Sequence, residues 1–234
     1  MNKKVIIIPT YNEKHNIKKT IIEIIKIYKN EFDILIIDDG SPDGTINEVK
    51  KIKSKYKFIN FIVRNRKLGI GSAHKFAIKK CYKKKYELII TMDSDGTHHP
   101  KYIRSMLNKI TNYDLIITNR FIGKNSLSNW PLYRKLLTYL RFILVSFLLN
   151  IPFDTSGAYR CYKRKNVKLN DILSAKDNGY SFFWESGYIF YKKKYKIKEI
   201  PIKLPYRSIG SSKMKFKDIF FAFCYLIIYS FKKI

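Results

Sequence analysis

Short apolar runs alternate with amphipathic segments over the first half of the chain. Each run is five or six residues long and is bounded by turn residues or charges, which is typical of buried strands in a parallel sheet. The segments between the runs place apolar residues three and four positions apart, as helices that cover a sheet do. The pattern therefore predicts an α/β fold with a doubly wound, mostly parallel sheet flanked by helices. The predicted strands are Val5–Pro9, Asp33–Asp38, Ile59–Val63, Glu87–Met92 and Asp114–Thr118.

Two segments in the second half of the chain have a different pattern. In residues 131–149 an apolar stripe lies opposite Arg134, Thr138 and Arg141, which suits an amphipathic helix in a membrane interface or one packed on the domain. The run Ile219–Phe231 is almost wholly apolar and, as a helix of roughly 20 Å, is too short to cross a ~30 Å hydrocarbon core. Lysines at both of its ends favour contact with an anionic membrane surface. The stripe consists of Leu132, Leu136, Leu140, Ile143 and Phe147.

The chain has 47 lysine and arginine residues against 18 acidic ones, a formal net charge of +29. Such a charge indicates an anionic partner, which could be nucleic acid, a membrane surface or a phosphorylated substrate. Most basic residues are lysines in a chain also rich in isoleucine, asparagine and tyrosine, a bias that an AT-rich genome also produces, so the charge alone does not choose among these partners. The three cysteines are isolated, which predicts neither a zinc site nor a disulfide framework. Because strand-like residues begin at Val5, we expect no signal peptide and a cytosolic protein.

Two pairs of carboxylates follow two of the predicted strands. Asp38 and Asp39 end the second strand, and Asp93 and Asp95 follow the fourth. Ligands of such sheets bind beyond the carboxyl ends of the strands, and crowded carboxylates require a compensating cation or donor groups. An Asp-x-Asp at a strand end suits Mg²⁺ or Mn²⁺ that bridges the phosphates of a nucleotide, because these ions prefer hard oxygen ligands. The alternative is that the aspartates only form turns and helix caps.

Nine short motifs follow one another over nearly the whole chain. They are PTYNE from Pro9, DDGSPDGT from Asp38, KLGIG from Lys67, DSD from Asp93, NRF from Asn119, WPLYR from Trp130, DTSG from Asp154, YRCY from Tyr159 and RSIGSSK from Arg207. The ordered set resembles the dolichol-phosphate mannosyltransferases, which are inverting glycosyltransferases of the GT-A fold. The resemblance implies a GT-A-type sheet and transfer of mannose from GDP-mannose to a polyprenyl phosphate of the dolichyl type.

The resemblance also implies roles for residues of the donor site. Asp93 and Asp95 would hold a divalent metal, Mg²⁺ or Mn²⁺, on the diphosphate of the nucleotide-sugar, and Arg207 and Lys213 would close over that diphosphate. The metal and the cations would neutralise the charge that develops on the leaving group. The residues implied to hold the base and the ribose are Pro9, Tyr11, Glu13, Asp38 and Asp39.

For the acceptor, the resemblance implies that Arg120 and Arg134 bind the phosphate of a polyprenyl phosphate. A phosphate monoester has a second pKa near ~6 and is largely ionised at neutral pH, so its attacking oxygen needs positioning more than a general base. The planar fork of arginine suits that task. Arg134 could instead form only the polar face of its helix. We expect catalysis to depend on Asp93, Asp95, Arg120 and Arg134.

Two positions depart from the pattern of the family. Thr97 stands where some relatives carry a longer polar metal ligand, which leaves the third protein ligand open, and Ser156 replaces the usual threonine of its loop. His98 and His99 adjoin the Asp-x-Asp motif. Adjacent residues after a strand rarely both bind a metal, so we interpret the two histidines as turn residues.

Together with the resemblance, these patterns predict a GT-A catalytic domain over residues 1–215, including the helix at 131–149, and a membrane-associating segment over 216–234. We expect a peripheral enzyme at the cytoplasmic face of a membrane. One alternative keeps the fold and uses UDP-glucose or another UDP-sugar with a lipid-phosphate or glycan acceptor. A nucleic-acid-binding protein is a distant alternative, because the basic residues are spread over almost every predicted helix rather than along one groove-facing element.

Overall fold

The computed structural model of the protein describes residues 3–206 and 216–232. Within these ranges one sheet is formed by β1 Lys4–Thr10, β2 Asp33–Asp38, β3 Ile59–Val63, β4 Leu88–Thr91, β5 Leu115–Asn119, β6 Arg160–Lys163 and β7 Ile197–Pro201. The strand order is β3-β2-β1-β4-β6-β5-β7. Neighbouring strands are parallel except that β6 runs antiparallel to both β4 and β5. The predicted α/β fold with a mostly parallel sheet is confirmed.

Helices cover both faces of this sheet. In the described ranges they are α1 Lys14–Tyr28, α2 Thr45–Lys53, α3 Ile70–Lys83, α4 Tyr102–Ile110, α5 Leu132–Leu149, α6 Leu169–Leu173, α7 Phe182–Lys192 and α8 Phe216–Lys232. The predicted segment at 131–149 therefore corresponds to α5, and the apolar tail corresponds to α8. Arg207 and Lys213, which were predicted to close over the donor diphosphate, lie outside the described residues.

The side chains of the central strand β1 alternate between two cores, as the pleat of a strand requires. Ile6 and Ile8 pack with α1, α2 and α4 on one face of the sheet. Val5 and Ile7 pack with α3, α6 and α7 on the other face, and all four side chains are fully buried. Burial on both faces explains why the parallel strands appear in the sequence as continuous apolar runs.

A third, smaller core joins α5 and α8 to α7. Leu149, Trp184, Leu226 and Tyr229 are buried in it, and the ring centroids of Trp184 and Tyr229 lie 5.3 Å apart. One face of α8 is thus packed on the domain, while the predicted division at residue 216 remains a prediction. Among the described residues, no helix is both long enough and apolar enough to span a bilayer.

The opposite faces of α5 and α8 carry large exposed side chains. All five residues of the stripe predicted on α5 are more than half exposed, so the stripe is not packed on the domain. We call this surface the outer apolar face. It consists of Leu132, Leu136, Leu140, Ile143 and Phe147 of α5 and Ile219, Phe220, Phe223, Ile228 and Phe231 of α8.

Candidate active site

A cavity of about 900 Å³ opens at the carboxyl ends of the central strands. Its wall is built from the end of β1, the loops that follow β2, β4 and β5, the loop before α7, and parts of α5 and α8. The structure brings most of the predicted site residues together here. Those that line the cavity are Pro9, Tyr11, Glu13, Asp39, Asp93, Asp95, Arg120 and Arg134.

The loops after β1 and β2 are joined by hydrogen bonds between backbone amides and side chains. The Asn12 amide donates to Ser41 Oγ at 2.8 Å, and the Glu13 amide donates to Thr45 Oγ1 at 2.9 Å. Asn12 has φ of 56°, a left-handed conformation that asparagine tolerates better than most residues. Through these contacts the DDGSPDGT motif after β2 holds the PTYNE motif at the end of β1 in place, with Tyr11 and Glu13 at the cavity.

Asp38 does not line the cavity. It is fully buried at the end of β2, and it accepts hydrogen bonds from the Ser41 amide at 2.8 Å and from Ser41 Oγ at 2.5 Å. Burial raises the pKa of Asp38 above its ordinary value despite these bonds. In this structure Asp38 shapes the turn that carries Ser41, and its predicted contact with the base and ribose remains a prediction.

Asp39 lines the cavity with its charge already paired. Arg64, the residue after β3, donates from Nε to Asp39 Oδ1 at 2.6 Å and from Nη2 to Asp39 Oδ2 at 2.7 Å. The Leu68 amide also donates to Asp39 Oδ2, at 3.1 Å. Both members of this bidentate ion pair are less than one-tenth exposed. The pair therefore fixes the loop after β3 to the side of the cavity that Asp39 lines.

We expect Arg64→Met to lower the free energy of unfolding by about 3–5 kcal/mol, because it leaves the Asp39 carboxylate buried without its cation. Urea denaturation of the two proteins measures the difference. Arg66→Met is the matched control, since Arg66 is exposed two residues away and its loss should change stability by less than about 0.5 kcal/mol. A cost for Arg64→Met within about 1 kcal/mol of the control would contradict the role of the pair.

The Asp-x-Asp loop is held by its own side chains. Asp95 Oδ1 accepts hydrogen bonds from the Thr97 amide at 3.0 Å and from Thr97 Oγ1 at 2.7 Å. The Asp93 amide donates to His98 Nδ1 at 2.9 Å, and the His98 ring stacks on Tyr159 with centroids 4.9 Å apart. His98 thus supports the backbone of the loop, and Thr97 contacts Asp95 directly.

Three arginines line the cavity near the loop after β5 and on α5. Arg120 Nε donates to Asp154 Oδ2 at 2.9 Å. Ser156 Oγ donates to Asp154 Oδ1 at 2.6 Å and accepts from Arg141 Nη2 at 3.0 Å. Ser156, which departs from the family pattern, therefore connects the carboxylate that positions Arg120 with a third arginine. Arg141 was not predicted as a site residue, because the sequence pattern places it only on the polar side of its helix.

The Asp154 carboxylate is ionised and fully buried at the centre of this network. Burial by itself raises its pKa, but the Arg120 charge, the Ser156 hydroxyl and the Arg141 charge outweigh burial and hold the pKa below its ordinary value. A Cβ at Gly157 would lie 3.2 Å from Arg120 Nη2, so this glycine leaves room for the guanidinium. The network fixes Arg120 with its charged end at the cavity wall.

One wall of the cavity is a loop before α7 that rests on the start of α3. A Cβ at Gly71 would lie 2.8 Å from the carbonyl oxygen of Gly179, which only glycine permits. Glu185 of α7 accepts from the amides of Lys176 and Asp177 and, at 3.1 Å, from the hydroxyl of Tyr225 on α8. The buried Glu185 carboxylate thereby ties the loop and α8 together.

The apolar helix α8 borders the cavity as well as the solvent. Phe221, Ala222 and Tyr225 line the cavity, whereas their neighbours Phe220 and Phe223 belong to the outer apolar face. The same helix therefore lines the cavity on one side and carries exposed apolar side chains on another.

Residues 5–169, which are more than half of the chain, match the family model described as Glycosyl transferase family 2. The chain belongs to glycosyl transferase family 2. The matched part includes β1 except its first residue, β2 to β6 and α1 to α5. It therefore contains the cavity carboxylates Asp93 and Asp95 and the three cavity arginines. The protein is a glycosyltransferase, as the resemblance of its motifs implied.

This family 2 glycosyltransferase is similar to three named proteins over most of its length. It is 28% identical to the undecaprenyl-phosphate mannosyltransferase of Micrococcus luteus, over 89% of this chain and 86% of the relative. It is 29% identical to the polyprenol monophosphomannose synthase of Mycolicibacterium smegmatis, over 92% of this chain and 82% of the relative. It is 31% identical to the dolichol-phosphate mannosyltransferase of Pyrococcus furiosus, over 92% of this chain but 60% of that longer relative.

Solved structures share the fold of this glycosyltransferase. The glucosyl-3-phosphoglycerate synthase of Mycobacterium tuberculosis in complex with UDP aligns with a TM-score of 0.62 and 16% identity, over 98% of this chain and 79% of that chain. The same synthase in complex with Mn²⁺, UDP-glucose and phosphoglyceric acid aligns with a TM-score of 0.59 and 17% identity, over 97% of this chain and 78% of that chain. At these identities the similarity establishes the GT-A-type fold and nothing about substrates.

Proposed function

We propose that this glycosyltransferase transfers mannose from GDP-mannose to a polyprenyl phosphate, with inversion, at the cytoplasmic face of a membrane. The observation that carries the proposal is the wall of one cavity, which combines the Asp-x-Asp pair, three arginines and the apolar helix α8. A nucleotide-sugar with its metal suits the carboxylates, a phosphate suits the arginines, and a lipid suits the helix. The names of the three relatives support the same substrates.

The chemistry of the cavity suits a divalent metal on the donor. Asp93 and Asp95 supply hard oxygen ligands, and within the described residues no third acidic, histidine or cysteine side chain joins them in a metal-binding group. Mg²⁺ is commonly held by one or two carboxylates together with substrate phosphates and water, and Mn²⁺ prefers similar oxygen ligands. When bound, the metal would neutralise the negative charge that develops on the leaving diphosphate.

The reaction that we propose requires no proton transfer. An ionised oxygen of the acceptor phosphate attacks C1 of mannose and forms the new bond to carbon, while the bond between C1 and the donor's diphosphate breaks and its electron pair leaves with GDP. Arg120 and Arg134 would hold the acceptor phosphate in line with that bond, as charged forks pre-arranged by Asp154 and by α5. Attack from the face opposite the leaving group inverts the configuration.

The outer apolar face supports contact with a membrane. Phe147 is 81% exposed and Phe231 is 84% exposed, and groups of large exposed apolar side chains mark sites of protein or membrane contact. Lys217 and Lys232 lie near the two ends of α8, where they can meet anionic headgroups. Since Tyr225 of the same helix lines the cavity, a lipid beside α8 would bring its phosphate to the entrance.

The choice of donor is tested by nucleotide binding. We expect GDP with Mn²⁺ to raise the melting temperature of the protein, and UDP with Mn²⁺ to raise it much less at the same concentration. The reason is that a ligand stabilises the folded state by an amount that rises with the ratio of its free concentration to its Kd, so the nucleotide that binds more tightly gives the larger shift. A larger shift with UDP would favour the alternative in which the enzyme uses UDP-glucose or another UDP-sugar.

Arg134→Ala is expected to raise the KM for farnesyl phosphate about 10- to 100-fold, because one hydrogen-bonded contact to a charged group is worth about 1.5–3 kcal/mol. The KM for GDP-mannose should change less than about threefold, since we propose that Arg134 contacts the acceptor phosphate and not the donor. Lys135→Ala removes a cation from the neighbouring position of α5, outside the cavity wall, and is the matched control. An equal loss of affinity for donor and acceptor would place Arg134 at the donor or in the structure of the helix.

A further inference from the structure

Arg141 is a cavity residue whose hydrogen-bonding capacity is only partly used. Its Nη2 donates to Ser156 Oγ at 3.0 Å, whereas its Nε is buried and has no hydrogen-bond partner among the described residues. An unsatisfied buried donor on a cation is costly, and such groups are rare in folded proteins unless a ligand or water completes them. Arg141 lines the same cavity as Arg120 and Arg134, so a ligand in the cavity can reach it.

The charges around Arg141 leave an excess of positive charge. The negative charge of Asp154 favours the protonated form of Arg141. The Asp154 carboxylate is, however, already hydrogen-bonded to Arg120 and to Ser156. Burial and the Arg120 charge lower the pKa of Arg141 to about 10, so it remains a cation at neutral pH. The Arg120 and Arg141 guanidinium groups share the buried Asp154 carboxylate, which leaves one positive charge to be balanced. Arg134 adds a second positive charge to the wall of the same cavity. A phosphate monoester dianion carries the charge that is missing.

We propose that Arg141 binds the acceptor phosphate directly, as a third cation beside Arg120 and Arg134, and that it selects a doubly charged monoester over a singly charged diester. This inference rests on the proposed function, since it names a further residue of the acceptor site. Ser156 aligns the guanidinium through Nη2, and the guanidinium donates to a phosphate oxygen in the cavity that it lines. The third cation supplies the charge that a diester, with one negative charge, would leave unbalanced.

The test measures binding of farnesyl phosphate and of farnesyl methyl phosphate, its singly charged diester, by titration calorimetry with the full chain. We expect Arg141→Gln to weaken binding of the monoester about 10- to 100-fold and to change binding of the diester less than about threefold. Lys135→Gln, which removes the same charge from α5 outside the cavity wall, should bind both ligands like the wild type. Arg141→Lys keeps the positive charge and should weaken binding of the monoester less than about tenfold. This variant replaces Arg141→Gln in the test if the glutamine variant does not fold.

A second variant separates binding from positioning. Ser156→Ala removes the hydrogen bond to Arg141 but keeps its charge. Because the Arg141 charge stays in the cavity, Ser156→Ala should weaken monoester binding less than Arg141→Gln does. If Arg141→Gln weakens binding of both ligands equally, Arg141 only positions the loop and the inference is overturned. A wild-type protein that binds GDP but neither farnesyl compound would overturn the proposed acceptor itself. A different outcome is that the wild type and Arg141→Gln bind the monoester measurably and equally. That outcome would overturn only the role of Arg141.

Discussion

Asp95→Asn is expected to reduce mannosyl transfer at least about 10³-fold and to abolish Mn²⁺-dependent binding of GDP, because a bound metal supplies several kcal/mol of charge stabilisation in the transition state. Asparagine retains a side-chain oxygen that can accept the two hydrogen bonds donated by Thr97. The turn should therefore survive while one negative charge is lost. Transfer to farnesyl phosphate and calorimetric titration with GDP, each in the presence and absence of Mn²⁺, measure the two effects.

The control for this variant is Glu87→Gln. Glu87 is an exposed carboxylate that pairs with Lys3 at 3.1 Å and lies outside the cavity wall, so its neutralisation should leave transfer unchanged. Melting curves of both variants check that they fold. Transfer by Asp95→Asn within about tenfold of the wild type, or undiminished wild-type transfer in EDTA, contradicts the assignment of the metal to the Asp-x-Asp pair.

The double variant Phe147→Ser, Phe231→Ser is expected to bind vesicles of phosphatidylcholine and phosphatidylserine at least about 10²-fold more weakly, because each buried phenylalanine contributes about 1.5–3 kcal/mol. Both side chains are more than four-fifths exposed on the outer apolar face, so the folded protein should lose little stability. Cosedimentation with vesicles measures the change. GDP binding should be retained, since neither residue lines the cavity.

The matched control is Ile27→Ser, Val63→Ser, which changes two exposed apolar residues on α1 and β3, outside the outer apolar face. It should sediment with vesicles like the wild type. Deletion of α8 is a poorer test, because Leu226 and Tyr229 are buried against Trp184 and their removal would open the third core. If the double variant sediments like the wild type, or if the control is released equally, the outer apolar face does not carry membrane binding.

The sequence predicted the positions of β1 to β5 to within one residue at each end, because strands covered on both faces are unbroken apolar runs. It did not predict β6, whose four residues include Arg160 and Lys163. Arg160 is fully buried, and its guanidinium donates to the carbonyl oxygens of Thr155, Gly157 and Phe183. The carbonyl oxygens that compensate for burial of this charge belong to residues distant along the chain or folded back in loops. No local sequence pattern reveals them.

In the candidate site too, features set by local pattern were predicted and features set by distant contacts were not. The carboxylates were predicted because the carboxyl ends of parallel strands meet at one edge of the sheet, independently of the conformation of the loops. The partner of Asp39 was not predicted, since Arg64 is 25 residues away and reaches it only through the pairing of β2 with β3. Arg141 gave a weaker signal, seven residues after Arg134 on α5. The polar side of an amphipathic helix has the same pattern whether it faces water or a ligand cavity.

The central claim is that mannose passes from GDP-mannose to a polyprenyl phosphate, and one measurement tests it most directly. The full chain is incubated with vesicles that contain polyprenyl phosphate, with Mn²⁺, and with either radiolabelled GDP-mannose or radiolabelled UDP-glucose, and the lipid is then extracted and counted. The account predicts labelled lipid from GDP-mannose, little from UDP-glucose, and none when EDTA is added or the polyprenyl phosphate is left out. Labelled lipid from UDP-glucose alone, or from neither donor, would contradict it.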